Sequence, residues 1–120
     1  MTPDYEFDLP YPPSVNSYWR RGNGRTYINQ KGREYRLAVR ELLESKGLDI
    51  NTAARLNLRI VAYMPDRRRR DIDNILKAVL DSLEHGGLMQ DDAQIDVLKV
   101  VRGCVVPGGQ LSIRVREIEA

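Results

Sequence analysis

Hydrophobic periodicity switches repeatedly between two and about 3.6 residues along this chain. The order of those switches constrains the fold more than any other feature. Tyr5, Phe7 and Leu9 alternate with Glu6 and Asp8, which predicts a strand over 4–9, and Pro10, Pro12 and Pro13 end it in an extended loop. Gly22-Asn23-Gly24 is a turn signal with short β-like pieces on either side. From Asn29 to Lys46 the spacing is helical: Tyr35, Ala38, Val39, Leu42 and Leu43 form one apolar stripe, and Gly47 suits the residue after the cap. Leu56, Leu58, Ile60 and Ala62 alternate with Asn57, Arg59, Val61 and Tyr63, a second strand that Pro65 stops. A second helix is expected from about Asp71 to His85, striped by Ile72, Ile75, Leu76, Val79, Leu80 and Leu83 and ended by Gly86-Gly87. Gln94 to Arg102 and Gln110 to Ile118 read as two further strands, and Pro107-Gly108-Gly109 between them predicts a hairpin loop. This order implies an α+β fold: a single compact domain over residues 1–120, a mixed β-sheet with two main helices packed on it.

A chain of 120 residues suits one domain rather than two. It contains no apolar run of about 18 residues, so no membrane span is expected. The opening MTPDYEFDLP is acidic and has no apolar core of a secretory leader. The one cysteine, Cys104, excludes an internal disulfide and a cysteine-rich zinc site, and the one histidine, His85, excludes a two-histidine metal site within the chain. A reducing cytoplasm fits this usage.

The net charge of +2 conceals an asymmetry. Residues 1–70 hold 14 Lys and Arg against 8 Asp and Glu; residues 71–120 hold 5 against 9. The change of sign falls inside Arg67-Arg68-Arg69-Arg70-Asp71-Ile72-Asp73, where the densest cationic run meets a carboxylate pair.

Asp71 and Asp73 flank the start of the second expected helix, and Asp91 and Asp92 follow its end. They meet only if the segment after Gly86-Gly87 returns nearly extended. If they do, the ligands are all oxygens, which suits Mg²⁺ or Mn²⁺ and metal-assisted phosphodiester hydrolysis. Lys77, four residues after Asp73, would then stabilise developing negative charge. The alternative is structural: Asp71 as a helix cap, Asp73, Lys77 and Asp81 as a solvated charge ladder, and Asp91-Asp92 as a loop pair.

Arg20, Arg21, Arg25, Lys31, Arg33, Arg36 and Arg40 interleave with Tyr18, Trp19, Tyr27 and Tyr35. Arginines that grip phosphates beside aromatics that stack on bases fit a nucleic-acid face; a solvated helix face over core aromatics is the alternative. Arg67, Arg68, Arg69 and Arg70 repel one another unless an anion neutralises them: a phosphodiester backbone, or else Asp66, Asp71 and Asp73. His85 is expected as a helix-dipole partner and Cys104 as a buried, inert strand residue. Ser14 and Ser17 lack a neighbouring base, so serine nucleophile chemistry has no support.

The run Met64-Pro65-Asp66-Arg67-Arg68-Arg69-Arg70-Asp71-Ile72-Asp73-Asn74-Ile75-Leu76-Lys77-Ala78 resembles the signature of the RusA family of Holliday junction resolvases. Asp91-Asp92-Ala93-Gln94 and the early Pro12-Pro13-Ser14-Val15-Asn16 with Tyr18-Trp19-Arg20 are similar to its other motifs, so the resemblance runs over residues 9–97. It implies a magnesium-dependent homodimeric endonuclease that cuts four-way DNA junctions, with no organic cofactor. By position it implies Asp71, Asp73 and Asp92 as essential carboxylates with Asp91 adjacent, Lys77 as the functional lysine and Arg70 beside the first carboxylate. A C2 dimer would present two sites related by the symmetry of the junction. A non-catalytic structure-specific DNA-binding protein would need the arginines but leaves the carboxylates unexplained. A hydrolase of small nucleotides has no use for the basic, aromatic segment.

Overall fold

The computed structural model describes residues 3–119. In chain order the elements are β1 (Asp4–Leu9), α1 (Val15–Tyr18), β2 (Trp19–Gly22), β3 (Arg25–Ile28), α2 (Gln30–Ser45) and β4 (Arg55–Tyr63). A 3₁₀ turn (Ile72–Ile75), α3 (Leu76–His85), a second 3₁₀ turn (Asp92–Gln94), β5 (Ile95–Arg102) and β6 (Gln110–Ile118) follow. They form two compact units. One takes in the chain through Tyr11, Thr52–Ile72 and the chain from Gln90 onward; the other is Pro12–Asn51 with Asp73–Met89.

The first unit is a mixed sheet in the order β1-β6-β4-β5. β6 runs antiparallel to both β1 and β4, and β4 runs parallel to β5. The alternation read from the sequence holds: Phe7, Leu9, Leu56, Leu58, Ile60, Ala62, Leu111, Ile113 and Val115 are buried on one face. The other face carries Glu6, Asp8, Asn57, Arg59, Lys99, Arg114 and Arg116 in solvent or half-buried.

Here one expectation fails. Pro107-Gly108-Gly109 does not close a hairpin, because β4 lies between β5 and β6. The loop instead passes the end of β4, where the Val106 N–H donates to the Met64 carbonyl (2.9 Å). Glycine and proline announce a turn but not the neighbour of the next strand. Gly109 is fixed by two constraints: its φ is +75°, and a Cβ there would sit 2.7 Å from the Tyr11 side chain. Cys104 lies in this loop and is exposed, not buried in a strand.

The second unit holds the helices and a two-stranded ribbon. Asn23 and Gly24 form the two-residue turn between β2 and β3, both at positive φ (52° and 73°), the conformation that Asn-Gly hairpins favour. The Asn29 side chain caps α2 by accepting from the Gln30 N–H (2.9 Å). At the other end, Gly47 donates to the Glu44 carbonyl (3.1 Å) and Leu48 to the Leu43 carbonyl (2.8 Å) with φ +67° at Gly47, a Schellman stop. Gly32 lies on the buried side of α2, where a Cβ would come within 2.6 Å of the Tyr18 carbonyl.

The second helix starts later than expected. Ile72–Ile75 is a 3₁₀ turn and the α-helix begins at Leu76, so Asp71 does not cap it. Ile75, Val79 and Leu83 of the expected stripe are buried. No helix among the described residues is long and apolar enough to cross a membrane.

Candidate active site and nucleic-acid contacts

Pro65 ends β4, and the arginine run that follows is organised by one carboxylate. Asp66 accepts from the Arg68 N–H (2.9 Å), the Arg68 Nε (3.2 Å) and both terminal nitrogens of Arg70, with Nη2 at 3.1 Å. The Arg70 guanidinium, then the Arg68 N–H, hold the Asp66 carboxyl well below the usual carboxylate range. Arg102, the last residue of β5, donates to the Arg70 carbonyl (2.7 Å). Arg70 is thus a staple within the loop. Arg67 and Arg69 are exposed and form no ion pair among the described residues. The four arginines that the sequence left equivalent divide into holders and free cations, and Asp71 follows them in solvent.

Asp91 and Asp92 stand at the other end of β5. The Asp91 carboxylate accepts from the Ala93 N–H (2.8 Å) and caps the short 3₁₀ turn. Gln94 completes the box: its Oε1 accepts from the Gln90 and Asp91 N–H groups (2.9 and 2.8 Å). Its Nε2 donates to the Thr52 and Ala54 carbonyls, both at 2.8 Å. A buried polar side chain with all its bonds made anchors the Asp91-Asp92 loop to the chain entering β4. The sequence marked Gln94 as part of a motif but gave no hint of this role. Between this loop and the Arg102 end that holds Arg70, β5 spans about 23 Å.

In the second unit, Asp73 sits exposed in the 3₁₀ turn and Lys77 in the first turn of α3. Lys77 forms no ion pair with Asp73 or Asp81 among the described residues, so the charge ladder of the alternative, purely structural reading is absent. Its ammonium lies 5.8 Å from the Trp19 ring centroid, and the Arg36 guanidinium is also 5.8 Å from it. Asp81 accepts instead from Arg36 Nε (2.7 Å) and from the Tyr18 hydroxyl, with His85 Nε2 at 3.6 Å. Burial, then the bond to Asp81, pushes the Tyr18 hydroxyl up to about 12.

Tyr18 and Tyr35 are buried and unable to stack on a base, a correction to the aromatic face read from the sequence. Tyr27 is 46% exposed and lies directly opposite Arg20 on the β2–β3 ribbon. Arg20, Arg21 and Arg25 are all exposed on that ribbon.

Asp71, Asp73, Asp91 and Asp92 are exposed and offer carboxylate oxygens only. That donor chemistry fits a hard divalent cation and does not fit zinc. Exposed carboxylates together with exposed arginines that form no ion pair among the described residues define a class of protein equipped to handle phosphate esters. Comparison with known proteins agrees. A family model described as Endodeoxyribonuclease RusA matches residues 10–116. The chain is 50% identical over 117 residues to the crossover junction endodeoxyribonuclease rusA of Enterobacteria phage HK97, covering 98% of each. It is 43% identical over 114 residues to the protein of that name from Shigella sonnei (strain Ss046), covering 95% of each. To the Escherichia coli (strain K12) protein it is 42% identical over 114 residues, again 95% of each. This chain belongs to the RusA family.

Proposed function

We propose that this chain is a crossover junction endodeoxyribonuclease that resolves four-way DNA junctions by paired phosphodiester cuts in recombination and repair. Identity over nearly the whole length of relatives bearing that name carries the reading. Residues 1–120 work as one RusA-like domain, in the cytoplasm, on DNA and without an organic cofactor.

Asp71, Asp73 and Asp92 would hold Mg²⁺, with Mn²⁺ as a substitute, and Asp91 is adjacent with one oxygen committed to its cap. When bound, the cation supplies an activated water and neutralises charge on the scissile phosphate. As water adds to phosphorus and the bond to the leaving oxygen breaks, Lys77 would stabilise the charge developing on that oxygen, which takes up a proton equivalent to the one the attacking water gives up. Arg67 and Arg69 grip flanking phosphates, Arg68 and Arg70 shape the loop around Asp66, and Arg20, Arg21 and Arg25 bind an arm of the junction.

The active form is a homodimer. Carboxylates sharing one Mg²⁺ lie about 2.1 Å from it. In a single chain the Asp92 loop and the Arg70-Asp71 segment are tied to opposite ends of β5. A second copy, related by a twofold axis, supplies the complementary carboxylates and the second cut.

A synthetic four-way junction, a matched linear duplex and a fork, each incubated with Mg²⁺ or with EDTA, test the reading. Symmetric paired nicks in the junction alone, and only with Mg²⁺, are expected. Binding without cleavage under every metal condition would replace it with a non-catalytic junction binder.

A further inference from the structure

The solvent face of the sheet carries a row of cations that the catalytic reading does not use. Arg59 on β4 lies directly opposite Arg114 on β6 and directly opposite Lys99 on β5. Like charges placed directly across a sheet are destabilising, and here three stand in one row on adjacent strands. Strand spacing puts the row at about 10 Å in length. One register step along, Arg116 lies opposite Asn57. Shallow depressions of about 130 and 180 Å³ open on this face, the first lined by Asn57, Arg59, Arg114 and Arg116.

The compensating acids are segregated to one edge. Asp4 on β1 takes Arg114 (2.7 Å) and Arg116 (3.3 Å), and Glu6 approaches Arg114 at 3.5 Å. These pairs orient two guanidiniums. Arg59 and Lys99 form no ion pair among the described residues, and both are exposed. Two oriented and two free cations around a polar depression describe a surface built for a polyanion.

We propose that the Arg59–Lys99–Arg114–Arg116 face is a second phosphate-binding surface that holds the backbone of a DNA arm outside the cleavage site. The inference rests on the chain acting on DNA, as proposed above. Arg59 is four residues from the end of β4, about 13 Å before the arginine loop begins. At 3.4 Å per step, this face reaches phosphates roughly four base pairs further along the arm than the loop does.

The test is the double variant Arg59→Gln/Lys99→Gln, with junction and linear-duplex binding measured across a salt series in EDTA. Removing two phosphate contacts lowers the slope of log K against log salt by nearly 2. A hydroxyl-radical footprint should lose protection out along the arms and keep it at the crossover. The melting temperature should hold or rise, because opposed like charges are removed. Glu6→Gln, which removes an acid from the same face, should tighten binding. An unchanged slope and footprint in the double variant, with normal wild-type binding, overturns this surface and leaves the proposed function standing. The same null result with a shifted monomer–dimer equilibrium assigns the face to a second copy and also overturns it. Wild-type protein that binds neither DNA removes both readings together.

Discussion

The ammonium of Lys77 rests over the indole of Trp19, 5.8 Å from the ring centroid, with Arg36 at the same distance from that ring. Trp19 itself is braced edge-on by buried Tyr18, their centroids 5.2 Å apart. A cation–π contact of this kind is worth about 0.5–2 kcal/mol, so the ring helps hold the lysine in place. Trp19→Leu should therefore lower kcat by up to about tenfold with little change in KM, while Trp19→Phe keeps most of the rate. Equal losses in both variants would remove the ring face from the explanation. Trp19 is the chain's one tryptophan, so Lys77→Met should also shift the intrinsic emission.

Asp71→Asn should leave junction binding in EDTA near the wild-type level and abolish cleavage in Mg²⁺. Metal-borne charge stabilisation is worth several kcal/mol, so the fall should be about a thousandfold. Loss of binding at fixed salt would show that Asp71 shapes the loop rather than serving the chemistry.

Arg69 and Arg70 should separate sharply. Arg69→Ala should weaken DNA binding and reduce the salt slope by about 0.9. Arg70→Ala releases Asp66 and unbraces the loop, so faster proteolysis there should accompany its loss of binding. The Asp66 carboxyl is depressed in the folded state below its ordinary 3.8. Its contribution is therefore complete above that value and disappears as acid takes the pH down through the depressed one. Acid titration of loop order should show this loss in the native protein and not in Asp66→Asn.

At the alkaline end the sign reverses. Tyr18 is raised to about 12, and burial raises Tyr35 as well. Each retains its proton in the folded state where the unfolded chain has lost it, so stability falls as pH rises above 10. Chemical denaturation between pH 9 and about 12 should show that decline, and Tyr18→Phe should make it shallower.

Gln94→Leu removes two donated and two accepted hydrogen bonds at a buried position, and should cost about 2–4 kcal/mol in urea unfolding. Because the same side chain holds the Asp91-Asp92 loop, cleavage should require more Mg²⁺. Destabilisation with an unaltered Mg²⁺ dependence would confine Gln94 to folding.

The elements were legible in the sequence because periodicity and punctuation are local. The strands at 4–9 and 110–118 match residue for residue, and α2 falls within one residue of expectation at each end. Strand order was not legible, since nothing near Pro107-Gly108-Gly109 records that β4 stands between β5 and β6. The late start of α3 was hidden because Asp71-Ile72-Asp73 suits a 3₁₀ turn as well as an α-helical one. In the candidate site, residue identities were visible but their division of labour was not. Four consecutive arginines read alike until Asp66 takes two of them. Tyrosine suits a core or a base stack equally well, and only burial separates Tyr18 from Tyr27.

The place of β6 has a consequence in time. It lies between β1 and β4, and Asp4 pairs with Arg116 across nearly the full length of the chain. β1 joins the rest of the sheet only through β6, and such long-range pairing folds slowly. The polar face that carries Arg59, Lys99, Arg114 and Arg116 is therefore complete only once β6 has paired with both of its neighbours.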